Sequence, residues 1–329
     1  MKTLTHPIGW CDDTGNMVVG CSKVSPGCLH CYAAVDTPAR VLRAGKWPGA
    51  GGRKVETWGP AAERWPVQSL VAKVKRLRKL CICDRCGETW PVDALNTRFG
   101  NCLCCGPLRR IRLFADSNSD WLDDRWPAET LGDLAEIVRN HPTIDFLLLT
   151  KRPEKFRDRL LTVVDKCVES RMAAYHLMSP NSRFPAQNLW LGVSVEDQTR
   201  ALERIPKLLE MPAAVRFLSC EPLLGPVDLA QVCGPGADRA GTLPGIDWVI
   251  VGGESGDGAR PCRVEWIQDI VRQCARAGVP CYVKQLGVNS TNEHTDPPWF
   301  PADGKGADMN EWPDDLRVRQ FPKRETPNP

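Results

Sequence analysis

No stretch of this 329-residue chain reaches the ~18–20 uninterrupted apolar residues that a membrane helix needs. The N-terminal Met1-Lys2-Thr3-Leu4-Thr5-His6-Pro7 has no apolar core of a secretory signal. Both absences set the expectation of a cytoplasmic protein without membrane contact. Charge of one sign is scarce as well. The 43 Lys and Arg nearly balance the 40 Asp and Glu, and a net charge of +3 does not by itself require a nucleic-acid partner. No self-similar repeat of fixed period is present. Hydrophobic residues at 42% and charged residues at 25% are ordinary for a globular chain and exclude wholesale disorder.

Cysteine is the residue in excess. Of the 16, ten lie before residue 106, most of them in two tight groups. Cytosolic reductants disfavour structural disulfides, so clustered cysteines there read as metal ligands. The other six (Cys167, Cys220, Cys233, Cys262, Cys274 and Cys281) stand singly. Single cysteines are usually small buried apolar residues.

From Ile111 onward the pattern alternates strand, loop and helix. Short apolar runs at Ile111–Ala115, Asp145–Leu149, Leu189–Val193, Ala214–Leu218, Asp247–Val251 and Pro280–Val283 suit strands buried on both faces of a parallel sheet. Helical patterns lie between them: around Leu131, over Pro153–Val164, over Asp197–Leu209 behind an Asp N-cap, and over Val264–Ala277 before Gly278. A further strand is expected at Asn16–Val19 and a basic helix at Val67–Leu80. The expected class is α/β, a partial TIM-type (β/α) barrel, with an open doubly wound sheet as the alternative. Chemistry in such folds sits at the C-terminal strand ends. Those ends read Gly20-Cys21, Asp116–Asp120, Thr150-Lys151-Arg152, Ser194-Val195-Glu196, Ser219-Cys220-Glu221, Gly252–Ser255 and Lys284-Gln285, all polar.

The first cysteine group, Cys21, Cys28 and Cys31, is spaced C-x6-C-x2-C directly after the first expected strand. Three thiolates in one loop can hold three irons of a [4Fe–4S] cluster and leave the fourth for an outside ligand. A closed zinc site completed by Cys11 is the alternative; His30 adjoins Cys31 and is poorly placed to chelate the same ion.

The second group, Cys83, Cys86, Cys102 and Cys105, is spaced C-x2-C-x15-C-x2-C. This falls in the range of a four-thiolate zinc ribbon, inserted here between the first helix and the second main strand. Cys81 and Cys104 are spare, so a second iron–sulfur cluster is the alternative. Around this insert, between Val71 and Arg112, ten Lys and Arg face only three acids. Lys73, Arg76 and Lys79 share one helical face, and Arg109 and Arg110 follow the ribbon. These five are candidate phosphate contacts for nucleic acid; a merely solvated basic helix is the plainer alternative. The division expected is residues 1–80 for the barrel start with cluster loop and basic helix, 81–110 for the insert, 111–287 for the rest of the barrel, and 288–329 for an irregular tail.

The run Gly20-Cys21-Ser22-Lys23-Val24-Ser25-Pro26-Gly27-Cys28-Leu29-His30-Cys31-Tyr32-Ala33 resembles the signature of the phage three-cysteine-motif proteins, a branch of the radical S-adenosylmethionine (SAM) superfamily. The likeness continues through Leu149–Pro153, Leu189–Glu196, Phe217–Leu223, Trp248–Gly256 and Val283–Gly287, and so spans most of the chain. It implies a [4Fe–4S] cluster on Cys21, Cys28 and Cys31, with SAM chelating the free iron and yielding a 5′-deoxyadenosyl radical that abstracts a hydrogen atom. It also implies a phage-encoded enzyme in the host cytoplasm and an electron donor such as flavodoxin or a chemical reductant. The substrate it implies is DNA or a modified nucleotide. One specific expectation is isomerisation of a glycyl-modified thymidine from nitrogen to carbon linkage; radical repair of damaged pyrimidines and a non-catalytic, metal-stabilised nucleic-acid binder are the alternatives. Two departures stand out. The superfamily spacing is usually C-x3-C-x2-C, and its Gly-Gly-Glu element usually follows the second strand. Here Gly252, Gly253 and Glu254 follow a later one, so Asp116, Asn118 and Ser119 become the candidates for the SAM amino group. Ser194 and Glu196 are candidates for the ribose and Lys151 for the carboxylate, with Glu221 also at the site.

Overall fold

The computed structural model describes residues 6–96, 101, 106–179, 186–232, 243–291 and 301–323. Seven parallel strands form one sheet, curled into a half-barrel: β1 (Asp13–Gly15), β2 (Ile111–Ala115), β3 (Ile144–Thr150), β4 (Leu189–Ser194), β5 (Val215–Cys220), β6 (Trp248–Gly252) and β7 (Cys281–Gln285). They neighbour one another in chain order, from β1 at one edge to β7 at the other. The helices are α1 (Thr37–Arg43), α2 (Ser69–Leu77), α3 (Ala128–Asn140), α4 (Phe156–Lys166), α5 (Arg171–Met178), α6 (Gln198–Glu210) and α7 (Val264–Ala277).

The apolar runs without alternation have a direct cause, because each strand is covered on both faces. Leu113, Phe146, Leu148, Leu191, Leu218 and Val249 join the core shared with the helices. Phe114, Leu147, Trp190, Phe217, Trp248, Ile250 and Tyr282 point the other way into a second cluster that fills the hollow of the curl. Trp10 packs into it, with ring centroids 4.7 Å from Phe114 and 6.2 Å from both Phe217 and Trp248. Gly192 belongs to this face because a Cβ there would sit 2.3 Å from the Phe217 ring.

Local signals set the helix ends. The Asp197 carboxylate accepts the Arg200 N–H at 2.8 Å, capping α6. Gly278 closes α7 at φ +67°, a region that favours glycine. The sheet edge at β7 is covered by the returning tail: Val283 N–H donates to Val318 and Gln320 N–H to Cys281, each at 2.8 Å. This pairing removes an exposed strand edge.

The first strand differs from expectation. Asp13–Gly15 pairs with β2, whereas Val18–Val19 leaves the sheet and pairs antiparallel with Trp65–Pro66. The apolar Met17-Val18-Val19 run is a buried bend at Met17 leading into this short two-stranded ribbon. The insert contains a small antiparallel sheet of Leu80–Cys83, Thr89–Pro91 and Leu108–Arg109, with Cys83 and Cys86 in the turn between the first two. Cys102, Cys104 and Cys105 lie outside the described residues, as does Cys233. Of the other single cysteines, Cys220, Cys262, Cys274 and Cys281 are buried and Cys167 is half-buried, as small apolar residues would be.

Candidate active site at the strand ends

The cysteine loop follows β1 and is held from four strand ends. After β2, Asp116 adopts φ +60° and its Oδ1 accepts the N–H of Met17 at 2.8 Å and of Val18 at 3.2 Å. Gly20 follows at φ +124°, where a Cβ would meet the Thr57 carbonyl at 2.5 Å, so only glycine fits this close approach. After β3, Arg152 donates to the Ser22 carbonyl at 2.9 Å, to Asp120 at 2.7 Å and to Cys21 Sγ at 3.6 Å. After β4, Glu196 Oε1 accepts the Ser25 hydroxyl at 2.6 Å, and its side chain fills the space a Cβ on Gly27 would need. After β6, Glu254 lies 3.2 Å from His30 Nδ1 and accepts Arg260 Nη2 at 2.6 Å, while Arg260 Nη1 donates to the Pro26 carbonyl at 2.9 Å.

These braces bring Cys21, Cys28 and Cys31 to the wall of one cavity of about 110 Å³. Asp116, Ser119, Asp120, Lys151, Arg152 and Ser194 complete its polar lining. Among the described residues, no three His, Cys, Asp or Glu side chains are gathered as a finished metal-ligand set. The chemistry of the lining nevertheless suits a cluster. Among the described residues it offers three thiols, no histidine and no fourth cysteine. Cys11, the fourth ligand of the zinc alternative, lies outside this cavity in the aromatic core, 4.0 Å from His6 Nδ1.

At these thiols burial and the neighbouring cations act in opposite directions, with burial the larger in the free protein. Burial pushes the Cys21 thiol up to about 12; Asp120 adds to the rise and Arg152 opposes it. Burial also raises Cys31, with the Lys151 ammonium opposing. The two cations beside the thiols would favour their ionised, metal-binding form. Asp116 is raised to about 7 by burial, against the backbone N–H groups it accepts. Its second oxygen, Oδ2, is buried and has no hydrogen-bond partner. An orphaned carboxylate oxygen on a cavity wall is the feature a ligand cation or N–H donor would satisfy.

A second cavity, of about 520 Å³, adjoins the first and shares Cys31, Tyr32, Phe114, Leu149, Lys151 and Ser194 with it. Glu221, Gly253 and Glu254 also line it. Lys151 donates to Ser194 Oγ at 3.0 Å and lies 3.8 Å from Glu196. Burial works to raise Glu254, but the Arg260 hydrogen bonds and the His30 contact outweigh it and hold the carboxyl near 2. Glu254 is therefore an ionised brace on the cysteine loop.

Three predicted contacts reach neither cavity. Asn118 is buried with its N–H on Asn16 Oδ1 at 2.8 Å. Glu196 is enclosed by Ser25, Arg204 and Lys151. Gly252 lies against the Gln285 backbone, where a Cβ would be 2.8 Å from the carbonyl; Gly253 is closer still, 2.1 Å from the Leu286 carbonyl.

The basic residues stand elsewhere, at the N-terminal ends of the strands. Asp13, which opens β1, pairs with Lys73 at 2.5 Å and with Arg76. Arg109 grips Asp12 with two N–H donors at 2.6 and 2.9 Å and reaches Asp84 at 2.6 Å. Arg110 lies 3.6 Å from Asp145 at the start of β3. Lys79 is exposed and has no ion pair among the described residues.

A family profile described as a protein of unknown function, DUF5131, matches residues 5–314. The chain belongs to the DUF5131 family. Comparison with curated proteins and with solved structures finds no match. Several residues around the site of this DUF5131 chain carried no local sequence signal. Asp123 and Arg64 form a buried network with Asp120 and Arg152, Asp123 lying 3.0 Å from Arg64 and 3.2 Å from Arg152. Trp10, Lys305 and Arg319 join the second cavity from the two chain ends.

Proposed function

We propose that this protein is a radical SAM enzyme. One observation carries the reading: the three thiols of a C-x6-C-x2-C loop line a single cavity at the C-terminal strand ends of a half-barrel, with no fourth cysteine or histidine in its lining among the described residues. Three thiolates without a fourth protein ligand are the donor set of an open [4Fe–4S] site. Cys21, Cys28 and Cys31 would hold it. When bound, the cluster and SAM together supply a one-electron cleavage of SAM that generates a 5′-deoxyadenosyl radical.

The chain's own residues would do the rest. Arg152 neutralises charge at Cys21 and pins Ser22, fixing the loop's entry. Asp116, whose Oδ2 has no hydrogen-bond partner, would accept from the SAM amino group, and Lys151 would meet its carboxylate by a charge-assisted hydrogen bond. Ser194, on the wall common to both cavities, would meet the ribose. The aromatic filling of the curl keeps water from below, which protects a reactive intermediate.

The finer expectation, action on a base in DNA, draws less support. Four of its five candidate phosphate contacts are engaged by Asp12, Asp13, Asp84 and Asp145. The ribbon metal is supported by its spacing and by the turn that carries Cys83 and Cys86. Anaerobic purification tests the enzyme reading. Iron and sulfide in equal amounts, with 5′-deoxyadenosine formed from SAM on reduction, are expected. Zinc alone, with no SAM cleavage after iron and sulfide are supplied, would overturn it.

A further inference from the structure

The larger cavity has the volume of a small-molecule site, about 520 Å³ within the usual ~300–1,000 Å³. Its floor is apolar and aromatic, from Trp10, Phe114, Leu149 and Tyr282. Its charges do not cancel. Lys151, Lys284, Lys305 and Arg319 face only Glu221 and Glu254. Glu221 takes Lys284, and Glu254 is already satisfied by Arg260 from outside the lining. Lys151 is shared with Glu196. Among the described residues, Lys305 and Arg319 have no ion pair within 4.0 Å.

Both cations are held by built backbone. Lys305 rides a turn in which Asp303 Oδ2 accepts the N–H of Ala307 at 2.6 Å, and its carbonyl accepts Gly287 N–H at 3.2 Å. Arg319 lies in the segment paired along β7, with its guanidinium 5.5 Å from the ring centroids of both Tyr282 and Trp312. Two exposed cations at the rim of an apolar floor, Arg319 without an ion pair among the described residues and Lys305 with only the Asp303 carboxylate of its own turn nearby, select for a negative group on an apolar body.

We propose that this cavity is the substrate site and that its substrate is a small organic anion, a flat or apolar body bearing a carboxylate or phosphate received by Lys305 and Arg319. The reading rests on the radical SAM proposal for its reaction, since the wall shared with the cysteine cavity is where a substrate C–H would be presented. A polynucleotide held by the basic helix fits less well. That helix meets the opposite strand ends, and five to seven residues of strand put it about 15–20 Å away.

The test is calorimetric binding of two probe pairs to the purified, unreduced protein: thymidine 5′-monophosphate against thymidine, and phenylacetate against phenylacetamide. At least one charged member should bind about tenfold or more tighter than its neutral partner. The pair that shows the preference identifies phosphate or carboxylate as the recognised group. The double variant Lys305→Gln, Arg319→Gln should bring that ratio near one, and Arg319→Lys alone should keep part of it; thermal unfolding checks that each variant is folded. No charge preference in either pair, or one that survives the double variant, would overturn the proposal. So would a single-stranded oligonucleotide that binds through these two residues and is not displaced by the small anions. Iron, sulfide and SAM cleavage are measured on the same preparation. Loss of SAM cleavage with the anion preference intact sinks only the radical reading.

Discussion

Both ends of the half-barrel carry charged side chains, with Cys21, Cys28 and Cys31 at one and Cys83 and Cys86 at the other, yet they handle their charges differently. At the N-terminal strand ends, Asp12, Asp13 and Asp84 are matched by Arg109, Lys73, Arg76 and Arg112. At the C-terminal ends, Asp116 keeps an orphaned oxygen, and Lys305 and Arg319 have no ion pair within 4.0 Å among the described residues, all three lining cavities. Charge density alone would nominate the base, since the basic residues cluster there in sequence. Pairing nominates the mouth. Ion pairs that satisfy one another hold a fold together, whereas polar groups left over around a cavity are free to act on a ligand.

The largest effect should separate the two cysteine groups. Cys28→Ala removes one of three thiols on the mouth cavity, so iron retention and SAM cleavage should fall below detection. Cys83→Ser with Cys86→Ser acts at the base and should leave SAM cleavage within about twofold, while releasing any ribbon metal, whose binding is worth ~10–16 kcal/mol in zinc-finger peptides. Metal analysis of both variants decides. Loss of SAM cleavage in the second variant would erase the functional distinction between the ends.

A second break acts on stability. Arg64 and Asp123 have side chains only 1% and 2% exposed, 3.0 Å apart, and Arg152 joins them at 3.2 Å. Removing one member of such a buried pair leaves an uncompensated charge and typically costs about 3–5 kcal/mol. Asp123→Ala should therefore destabilise by that order, as seen in urea midpoints. Asp13→Ala at the base, whose cationic partners are 35% and 49% exposed, should cost less, of the order of 1 kcal/mol.

Much of this contrast was legible in the sequence. Six strands fall within about two residues of their apolar runs, because burial on both faces demands uninterrupted apolar residues. The cysteine loop and the polar strand ends announced the mouth. The first strand was misplaced because Met17-Val18-Val19 is as apolar as a main-sheet strand, although Asp116 takes the Met17 and Val18 N–H groups and Val18–Val19 pairs with Trp65–Pro66 outside that sheet. Trp10 and Arg319 were invisible because they reach the cavity from opposite chain ends, and no local pattern encodes that meeting. The ion pairs of the basic cluster were invisible for a related reason. Its counter-charges, Asp12 and Asp13, lie some sixty to a hundred residues away in sequence.

Asp116 gives the comparison a pH signature. Its carboxyl titrates near 7 in the fold, against an ordinary value of 3.8. Between those values the folded protein holds a proton that the unfolded chain has released, so stability falls as pH rises from about 4 to about 7 and is flat beyond. At 1.36 kcal/mol per unit, the full effect has an upper bound of ~4 kcal/mol. Asp116→Asn can still accept the Met17 and Val18 N–H groups through its amide oxygen, and should remove most of that slope. Urea unfolding at pH 5 and pH 8 measures it. An equal slope in wild type and variant would show that Asp116 is ionised throughout and that its Oδ2 has water or a partner.

The smallest effect concerns the base and nucleic acid. Each Lys or Arg that contacts a phosphate in duplex DNA contributes about −0.9 to the slope of log affinity against log salt. Lys73, Arg76 and Lys79 share a face, so changing all three to Gln would flatten the slope by roughly three units if all were available. Two are not, because Asp13 lies against Lys73 and Arg76. A phosphate would have to displace a carboxylate already in place. The triple variant should therefore flatten the slope by no more than about one unit, the share of Lys79. Asp13→Asn sharpens the test in the opposite direction. It frees two cations without adding any, so duplex affinity at low salt should rise and the slope steepen by up to about two units. Titrations of wild type, the triple variant and Asp13→Asn over several salt concentrations compare the three. A wild-type slope that already includes Lys73 and Arg76 would mean that their ion pairs with Asp13 open readily to a phosphate, and the base would then be a nucleic-acid surface after all.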